Sequence, residues 1–275
     1  MNKLYLALFL LAITPQLLSQ KKIEIISKSP ISIGEQVTFY SEILGENRVL
    51  NLYLPQGYSP DSSKTYPVIY LLDGSLDEDF IHIAGLVQYG AFSWINLIPE
   101  TIVVGISNVD RKRDFTYPTT IEQDKLDFPT TGGSAEFIDF IEKELQPFID
   151  LHYKTNKVKT IIGQSLGGLL ATEILVKKPE LFDNYLIISP SLWWDDESLL
   201  SLKPPVFTSQ KSIFIGVGKE GPIMEKGANA LHKKIAKLKS KQVRLYFEFF
   251  KEQDHGDVLH LAAYKAFETV FKRDK

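Results

Sequence analysis

The 275-residue sequence contains no cysteine. A chain without thiols has no thiol nucleophile, no cysteine-ligated zinc or iron–sulfur cluster, no disulfide and no lipid-modified N-terminal cysteine. Its stability must come from a buried core, which the composition allows, since 44% of the residues are hydrophobic. A strong excess of one charge is also missing, because 31 basic and 34 acidic residues give a formal net charge of −3. This balance argues against a nucleic-acid partner.

The apolar stretch near the N-terminus is shorter than the roughly 20 residues that a membrane-spanning helix needs. A positive start at Lys3, an apolar run over residues 4–12 and the small residue Ser19 follow the order of a secretory signal peptide. We expect residues 1–19 to be a signal peptide and residues 20–275 to form one domain. The protein would then be exported to the periplasm or the medium without a stable membrane anchor. A retained anchor or a buried N-terminal helix is the alternative.

Strand and helix patterns alternate along most of the chain. Residues 36–54 predict a β-hairpin, and the compact apolar runs that follow are typical of buried parallel strands, each succeeded by a helical pattern. The predicted strands after the hairpin are 66–72, 101–106, 158–162, 185–189, 212–217 and 243–250, and the main predicted helices are 134–149, 166–177, 223–238 and 258–271. This alternation predicts an α/β fold: a mostly parallel, eight-stranded sheet with helices on both faces and an antiparallel N-terminal hairpin.

The strongest local signal is GQSLG at residues 163–167, between an apolar strand and a helical pattern. At such a turn a G-x-S-x-G string exposes the serine hydroxyl, and its small residues let strand and helix approach each other. The string predicts Ser165 as a nucleophile, and a helix-capping serine is the alternative. Leu166, at the helix N-terminus, would supply one backbone N–H of an oxyanion hole. Either Gly74 or Ser75, after the third sheet strand, would supply the second.

A nucleophilic serine needs a general base within hydrogen-bond reach, and an acid that orients the base. Four of the five histidines lie within or at the edge of predicted helices: His82, His152, His232 and His260. His255 differs because it falls between the last predicted strand and the last predicted helix. We therefore expect His255 to be the base, with an ordinary surface histidine as the alternative.

Three carboxylates are candidates for the acid: Glu220, Asp254 and Asp257. Glu220 follows the second-last predicted strand, where the loops of an open parallel sheet converge on a ligand crevice. It also keeps the chain order serine, acid, histidine. Asp254 is adjacent to His255 and poorly placed to orient its ring, and Asp257 is better suited to capping the final helix. Glu220 is the predicted acid, with a solvated loop carboxylate as the alternative.

Several strings together resemble the putative-esterase branch of the α/β-hydrolase superfamily: YLLDG at 70–74, VGI at 104–106, RDFT at 113–116, GQSLGG at 163–168 and SPSLWW at 189–194. This branch includes S-formylglutathione hydrolases, feruloyl esterases, mycolyltransferases and the siderophore (enterobactin-type) trilactone esterases, to which the resemblance is closest. It covers most of the chain after residue 19. The resemblance implies an α/β-hydrolase fold, a Ser, acid, His triad, no metal and no organic cofactor.

The segment 108–133 is too long for a simple turn and is a candidate substrate lid. Its residues Arg111 and Arg113 would suit an anionic catecholate–iron complex, because guanidinium groups bind oxyanions in a planar, bidentate manner. A solvated charge cluster is the alternative. The segment departs from the siderophore-esterase pattern at Tyr117, which lies between a threonine and a proline.

Trp193 and Trp194 are expected to line an aromatic acyl or sugar pocket, or else to pack beneath the active-site loop. The sequence as a whole predicts a serine carboxylic ester hydrolase that acts on a small-molecule ester through an acyl-enzyme on Ser165, with a siderophore trilactone or similar ester as the candidate substrate. An acyltransferase with the same triad, a feruloyl or acetyl carbohydrate esterase and a catalytically silent binding protein are the alternatives.

Overall fold

The structure is a computed structural model that describes residues 23–203 and 206–271. Residues 23–32 contain no helix or strand, and a separate compact unit begins at Ile33. The expected signal peptide, residues 1–19, lies outside the described residues and stays a prediction. In the part of the chain that the structure describes, no helix has both the length and the apolar character needed to cross a membrane.

The described residues form one eight-stranded sheet with the strand order β1-β2-β4-β3-β5-β6-β7-β8. The β1–β2 and β2–β4 pairs are antiparallel, and the other pairs are parallel. The strands are β1 (Gly34–Ser41), β2 (Glu46–Tyr53), β3 (Tyr66–Leu71), β4 (Ile102–Ile106), β5 (Thr155–Gln164), β6 (Asn184–Ile188), β7 (Lys211–Gly218) and β8 (Val243–Phe250). The predicted α/β fold, with its mostly parallel sheet and N-terminal hairpin, is confirmed.

Helices cover both faces of this sheet. They are α1 (Phe80–Gly90), α2 (Arg111–Phe115), α3 (Glu122–Asp127), α4 (Ser134–Phe140), α5 (Gln146–His152), α6 (Leu166–Lys177), α7 (Trp194–Ser201), α8 (Pro222–Ala236) and α9 (Val258–Val270). Alternate residues of a strand point to opposite faces. Accordingly, Val68 and Tyr70 pack in one core cluster with α4, α6 and α8, whereas Ile69 and Leu71 pack in the other with α1 and α9.

The segment 108–133, whose role as a substrate lid stays a prediction, contains regular structure. It contains α2 and α3, and Asp114, Phe115 and Thr116 are buried. The carboxylate of Asp110 caps α2 by accepting the backbone N–H of Arg113, at 3.0 Å. Helices of five and six residues are too short to show a hydrophobic period, so the sequence pattern did not reveal them. The segment is therefore a packed part of the domain.

The carboxyl ends of the parallel strands place the candidate site. Ser165 directly follows β5, Glu220 follows β7 and His255 follows β8. Gly74 and Ser75 follow β3, on the other side of β5. Residues from separate parts of the chain are brought together because parallel strands end at the same edge of the sheet, where open α/β sheets bind their ligands.

Candidate active site

Ser165 occupies a strained turn between β5 and α6. Its backbone angles are φ 59° and ψ −120°, a region that residues with a side chain rarely adopt. The turn requires glycine around it, because a Cβ atom at Gly163 would lie 2.3 Å from the carbonyl oxygen of Gly167. The close approach of strand and helix at these glycines holds the serine at the tip of the turn, as the G-x-S-x-G string predicted.

Glu220 and His255 form a hydrogen-bonded pair beside this serine. Nδ1 of His255 lies 2.5 Å from Oε2 of Glu220. The Glu220 side chain is only 1% exposed, whereas that of His255 is 46% exposed. A buried carboxylate thus holds one edge of an imidazole whose other edge faces the solvent. Ser165 and His255 line the same cavity, and in the described residues Ser165 Oγ contacts Ser191 Oγ, at 3.3 Å, with no direct hydrogen bond to His255.

The environment of Glu220 keeps its carboxylate ionised. Burial raises the pKa of Glu220, but hydrogen bonds from His255, Ser189 and the backbone N–H of Gly218 outweigh burial and leave the pKa below its ordinary value. The Gly218 N–H donates to Oε1 at 2.8 Å, and Ser189 Oγ donates to the same oxygen. An ionised acid at this position fixes the imidazole ring and stabilises its protonated form.

The other two candidate carboxylates, those of Asp254 and Asp257, form hydrogen bonds within their own loop. Oδ1 of Asp254 accepts the N–H of Gly256, and Oδ1 of Asp257 accepts the N–H of Asp254, both at 2.8 Å. Asp257 stands directly before α9, as expected, but its side chain makes no capping hydrogen bond to that helix. Among the described residues neither of these carboxylates is hydrogen-bonded to the ring of His255, so the geometry supports Glu220 as the acid.

Two backbone N–H groups are available for a developing oxyanion. Leu166 is the first residue of α6, so its N–H has no acceptor within the helix. Gly74 does not fit the second position, because its N–H donates to the carbonyl of Ile106 at 3.0 Å and so extends the sheet. The N–H of Ser75 makes only a 3.3 Å contact with the exposed carboxylate of Glu78. Leu166 and Ser75 are the pair that the geometry supports.

Two cavities meet at the candidate triad, and Ser165 and His255 line both. The larger cavity, of about 620 Å³, is also lined by Ser191, Trp193, Lys219, Glu220, Met224 and Asp254. The smaller, of about 350 Å³, is also lined by Asp73, Glu78, Asp79, Arg111 and Gln164. The reacting residues therefore lie between a side with an indole and a thioether and a side rich in carboxylates.

Comparison with known proteins identifies the family. The family described as “Putative esterase” matches residues 41–266. The chain belongs to this esterase family. A relative, the ferri-bacillibactin esterase BesA of Bacillus subtilis, is 29% identical over 251 residues, which cover 83% of this chain and 87% of that protein. Ester hydrolysis is the activity that this membership supports.

Solved structures agree with this esterase fold. The crystal structure of an IroE-like serine hydrolase from Shewanella oneidensis has a TM-score of 0.76 and 30% sequence identity, and the match covers 88% of this chain and 82% of that one. The BES protein from Bacillus cereus has a TM-score of 0.80 and 28% identity, with 91% of this chain and 100% of that chain covered. Both likenesses extend over nearly the whole described domain.

The two arginines predicted to bind substrate are paired with carboxylates in the esterase. Arg111 donates from Nε and Nη2 to the two oxygens of Asp73, at 2.6 and 2.8 Å. Arg113 donates to Glu46 at 2.6 Å and to Asp114 at 2.8 Å, and it lines neither cavity at the triad. Arg111 borders the smaller cavity with its charge already matched. The structure thus brings Arg111, and not Arg113, to the site.

The adjacent tryptophans have different surroundings. Trp193 lines the larger cavity and packs against Phe128, with ring centroids 6.1 Å apart. Trp194 is 0% exposed, and its Nε1 donates to the carbonyl of Tyr117 at 2.9 Å. Trp193 therefore fits the predicted role in a substrate pocket. Trp194 is instead buried against Tyr117 and Phe128 of the segment 108–133. This fits the alternative, in which a tryptophan packs beneath the active-site loop.

Three residues that support the candidate triad were not predicted from the sequence. Ser189 donates to Glu220, and Ser191 uses its N–H to hold the carbonyl of Ser165 at 3.0 Å. Gln164 donates from Nε2 to the carbonyl of His255 at 2.6 Å and so anchors the histidine loop to the nucleophile turn. The SPSLWW string at 189–194 contains both serines, but it predicted roles only for its two tryptophans.

Proposed function

We propose that this esterase is a serine carboxylic ester hydrolase that works through an acyl-enzyme on Ser165. One observation carries the proposal: the buried, ionised Glu220 is hydrogen-bonded to His255, which shares a cavity with a serine at a strained, exposed turn. In this arrangement Nδ1–H of the histidine donates to the carboxylate. Nε2 then keeps its lone pair and can accept the serine proton.

In the acylation step, Ser165 Oγ attacks the ester carbonyl carbon while Nε2 of His255 accepts the hydroxyl proton. The carbonyl oxygen becomes an oxyanion, which the N–H groups of Leu166 and Ser75 stabilise. For this, the N–H of Ser75 exchanges its contact with the exposed Glu78 carboxylate for the oxyanion. The tetrahedral intermediate collapses, the bond to the alcohol oxygen breaks, and the imidazolium returns its proton to the departing alcohol. The acyl group is now an ester of Ser165.

In the deacylation step, water replaces the alcohol. His255 accepts a proton from the water as its oxygen attacks the acyl carbon, and the same N–H groups hold the second oxyanion. Collapse breaks the bond to Ser165 Oγ, which recovers its proton from the imidazolium. The products are a carboxylic acid and the regenerated serine, so no redox change or metal is required by the balance of atoms.

A siderophore trilactone or similar ester is the proposed substrate class. The relative BesA is named a ferri-bacillibactin esterase and is similar over most of both chains. The five strings at 70–74, 104–106, 113–116, 163–168 and 189–194 support the same assignment, because their resemblance to the putative-esterase branch is closest to the siderophore esterases. Export, which the first 19 residues predict, stays a prediction.

A substrate panel tests this proposal. The purified protein is given a ferric catecholate trilactone, methyl ferulate, an acetylated xylo-oligosaccharide and p-nitrophenyl acetate, with Ser165→Ala as the blank. We expect the trilactone to have the highest kcat/KM and to yield one carboxylic acid per cleaved ester. Repeating the p-nitrophenyl acetate reaction with added glycerol separates hydrolysis from acyl transfer. Glyceryl acetate as the main product would contradict a hydrolase, and preference for methyl ferulate or the acetylated sugar would contradict the substrate class.

A further inference from the structure

We propose that Lys219, together with Trp193 and Met224, forms a subsite that binds an acidic group carried on an aromatic ring of the substrate. The inference rests on the proposed ester hydrolysis at Ser165. It assigns anion recognition to the larger cavity, which Arg111 does not line. The sequence had pointed instead to the arginine cluster of segment 108–133.

The smaller cavity is a poor place for an anionic substrate group. Its one guanidinium, on Arg111, is bound by both oxygens of Asp73, and Glu78 and Asp79 add two further carboxyl groups. Burial and the negative charges of Asp73 and Glu78 raise the pKa of Asp79 to about 6. Burial is the largest cause of this shift, and the contribution of Asp73 and Glu78 reflects the negative potential that their carboxylates create. An added anion would meet the same repulsion.

Lys219 has the opposite situation in the larger cavity. Its backbone N–H donates to the carbonyl of Gln253 at 2.7 Å, which fixes the root of the side chain beside the histidine loop. Its ammonium group makes no ion pair within the part of the chain that the structure describes. Asp254 lines the same cavity, but its carboxylate accepts the N–H of Gly256. Lys219 is thus an unmatched cation at the rim of the site.

The remaining wall of this cavity suits a flat ring. Trp193 is partly exposed to the cavity and is backed by Phe128, and Met224 from α8 lies on the same cavity. An indole face favours stacked or edge-on contact with another ring, and a thioether makes favourable contacts with aromatic groups. An ammonium beside these two side chains would bind a carboxylate or phenolate on the ring. The ligand class is therefore an aryl acid or an ionised phenol.

The test uses two pairs of esters that differ by one carboxylate. Phenyl acetate and 4-acetoxybenzoate carry the ring on the alcohol side, and methyl benzoate and monomethyl terephthalate carry it on the acyl side. For each variant, proton release gives kcat/KM, and the result is the ratio of the anionic to the neutral ester. We expect Lys219→Met to lower this ratio about fivefold in at least one pair, with the neutral ester within about twofold of wild type.

Matched variants separate the charge from the fold. Lys219→Arg should restore the ratio, and Lys233→Met, on the exposed side of α8, should leave it unchanged. Trp193→Leu should lower both members of the responding pair relative to ethyl butyrate, which carries no ring. The proposal is overturned if Lys219→Met leaves both ratios at the wild-type value, if it slows neutral and anionic esters equally, or if Arg111→Met lowers the ratio instead.

The outcomes also distinguish this inference from the proposed function. If wild type hydrolyses the neutral esters but Lys219 does not affect the ratio, only the subsite fails. If wild type hydrolyses none of the esters, including ethyl butyrate, ester hydrolysis and the subsite fail together.

Discussion

Two regions at the same edge of the sheet are rich in charged residues but use charge differently. The first region consists of the loops after β5, β7 and β8, and the second is the segment 108–133 after β4. In the first region a buried carboxylate, Glu220, is directed at the half-exposed ring of His255. In the second region each arginine faces an acid, and the pair of Arg48 and Asp114 is buried on both sides, at 1% exposure or less. The first arrangement leaves the ring of His255 accessible to a substrate. In the second, the charges neutralise one another within the protein.

This difference teaches that proximity of arginines to a catalytic serine is not evidence of anion binding. Arg111 borders the smaller cavity, yet Asp73 satisfies its guanidinium in a bidentate pair. Charge that is matched within the protein contributes to the fold. Charge that is free to act on a substrate has to be found where the described residues offer no ion-pair partner, as we propose for Lys219.

The largest effect should come from the region that leaves its groups open. Ser165→Ala should lower turnover by a factor on the order of 10⁴ or more, since no other group can form the acyl-enzyme. The melting temperature should change little, because the hydroxyl adds almost nothing to packing and alanine meets the same backbone strain. Steady-state kinetics and thermal unfolding measure the two quantities. Activity above a few per cent of wild type in the variant would remove Ser165 from the mechanism.

The next effect sharpens the assignment of the acid. Glu220→Gln should lower turnover on the order of 10²–10⁴-fold with similar substrate affinity, because the amide no longer stabilises the imidazolium. Asp257→Asn is the matched control and should stay near wild type, since its carboxylate closes only the local turn. Collapse of Asp257→Asn with an active Glu220→Gln would show that the acid is misassigned.

In the second region the effect should fall on stability instead. Asp114→Asn removes one of the two carboxylates that pair with the buried guanidinium of Arg48, the other being Glu46, and should lower the free energy of unfolding by about 2 kcal/mol. At temperatures where the variant is folded, kcat should stay close to wild type. Denaturant unfolding checks this, with Asp127→Asn, an exposed site in the same segment, as the control. A loss of kcat without a loss of stability would mean that the segment acts directly in catalysis.

The smallest effect concerns the acidic side of the site. Burial, with the charges of Asp73 and Glu78, raises the pKa of Asp79 from 3.8 to about 6. The folded protein therefore holds this proton more tightly than the unfolded chain, and it loses stability as the pH rises from about 4 to about 6. Asp79→Asn removes that loss and should stabilise the protein by about 1 kcal/mol above pH 7, after allowance for solvent screening, but not near pH 4.

Melting temperatures of wild type and Asp79→Asn across this pH range decide the point. A difference that does not depend on pH would contradict the raised pKa of Asp79.

The sequence predicted the residues that follow strand ends. Ser165, Glu220 and His255 come one, two and five residues after the ends of β5, β7 and β8, so the topology alone places them at one edge. The choice between Gly74 and Ser75 depended on which of the two N–H groups is hydrogen-bonded to the neighbouring strand. The structure shows that it is Gly74, whose N–H donates to the carbonyl of Ile106. A local pattern does not carry such information.

The partners of the charged residues were also beyond a local pattern. Arg113 pairs with Glu46, 67 positions away, and Arg111 with Asp73, 38 positions away. Trp193 lines the larger cavity and Trp194 is buried, and the turn that directly follows them is held by a distant segment. In this turn Asp195 has a left-handed φ of 49° and accepts hydrogen bonds from Thr119 and Thr120. Contacts between distant segments, and not composition, decided which side chain faces the cavity.

The most direct test of the central claim is to trap the nucleophile. Wild type is treated with a fluorophosphonate, its intact mass is measured, and the modified peptide is mapped, with Ser165→Ala treated in parallel. The account predicts one added group per chain, located on Ser165, and no mass change in Ser165→Ala. Equal labelling of Ser165→Ala, or a label mapped to Ser191 or any other residue, would contradict it.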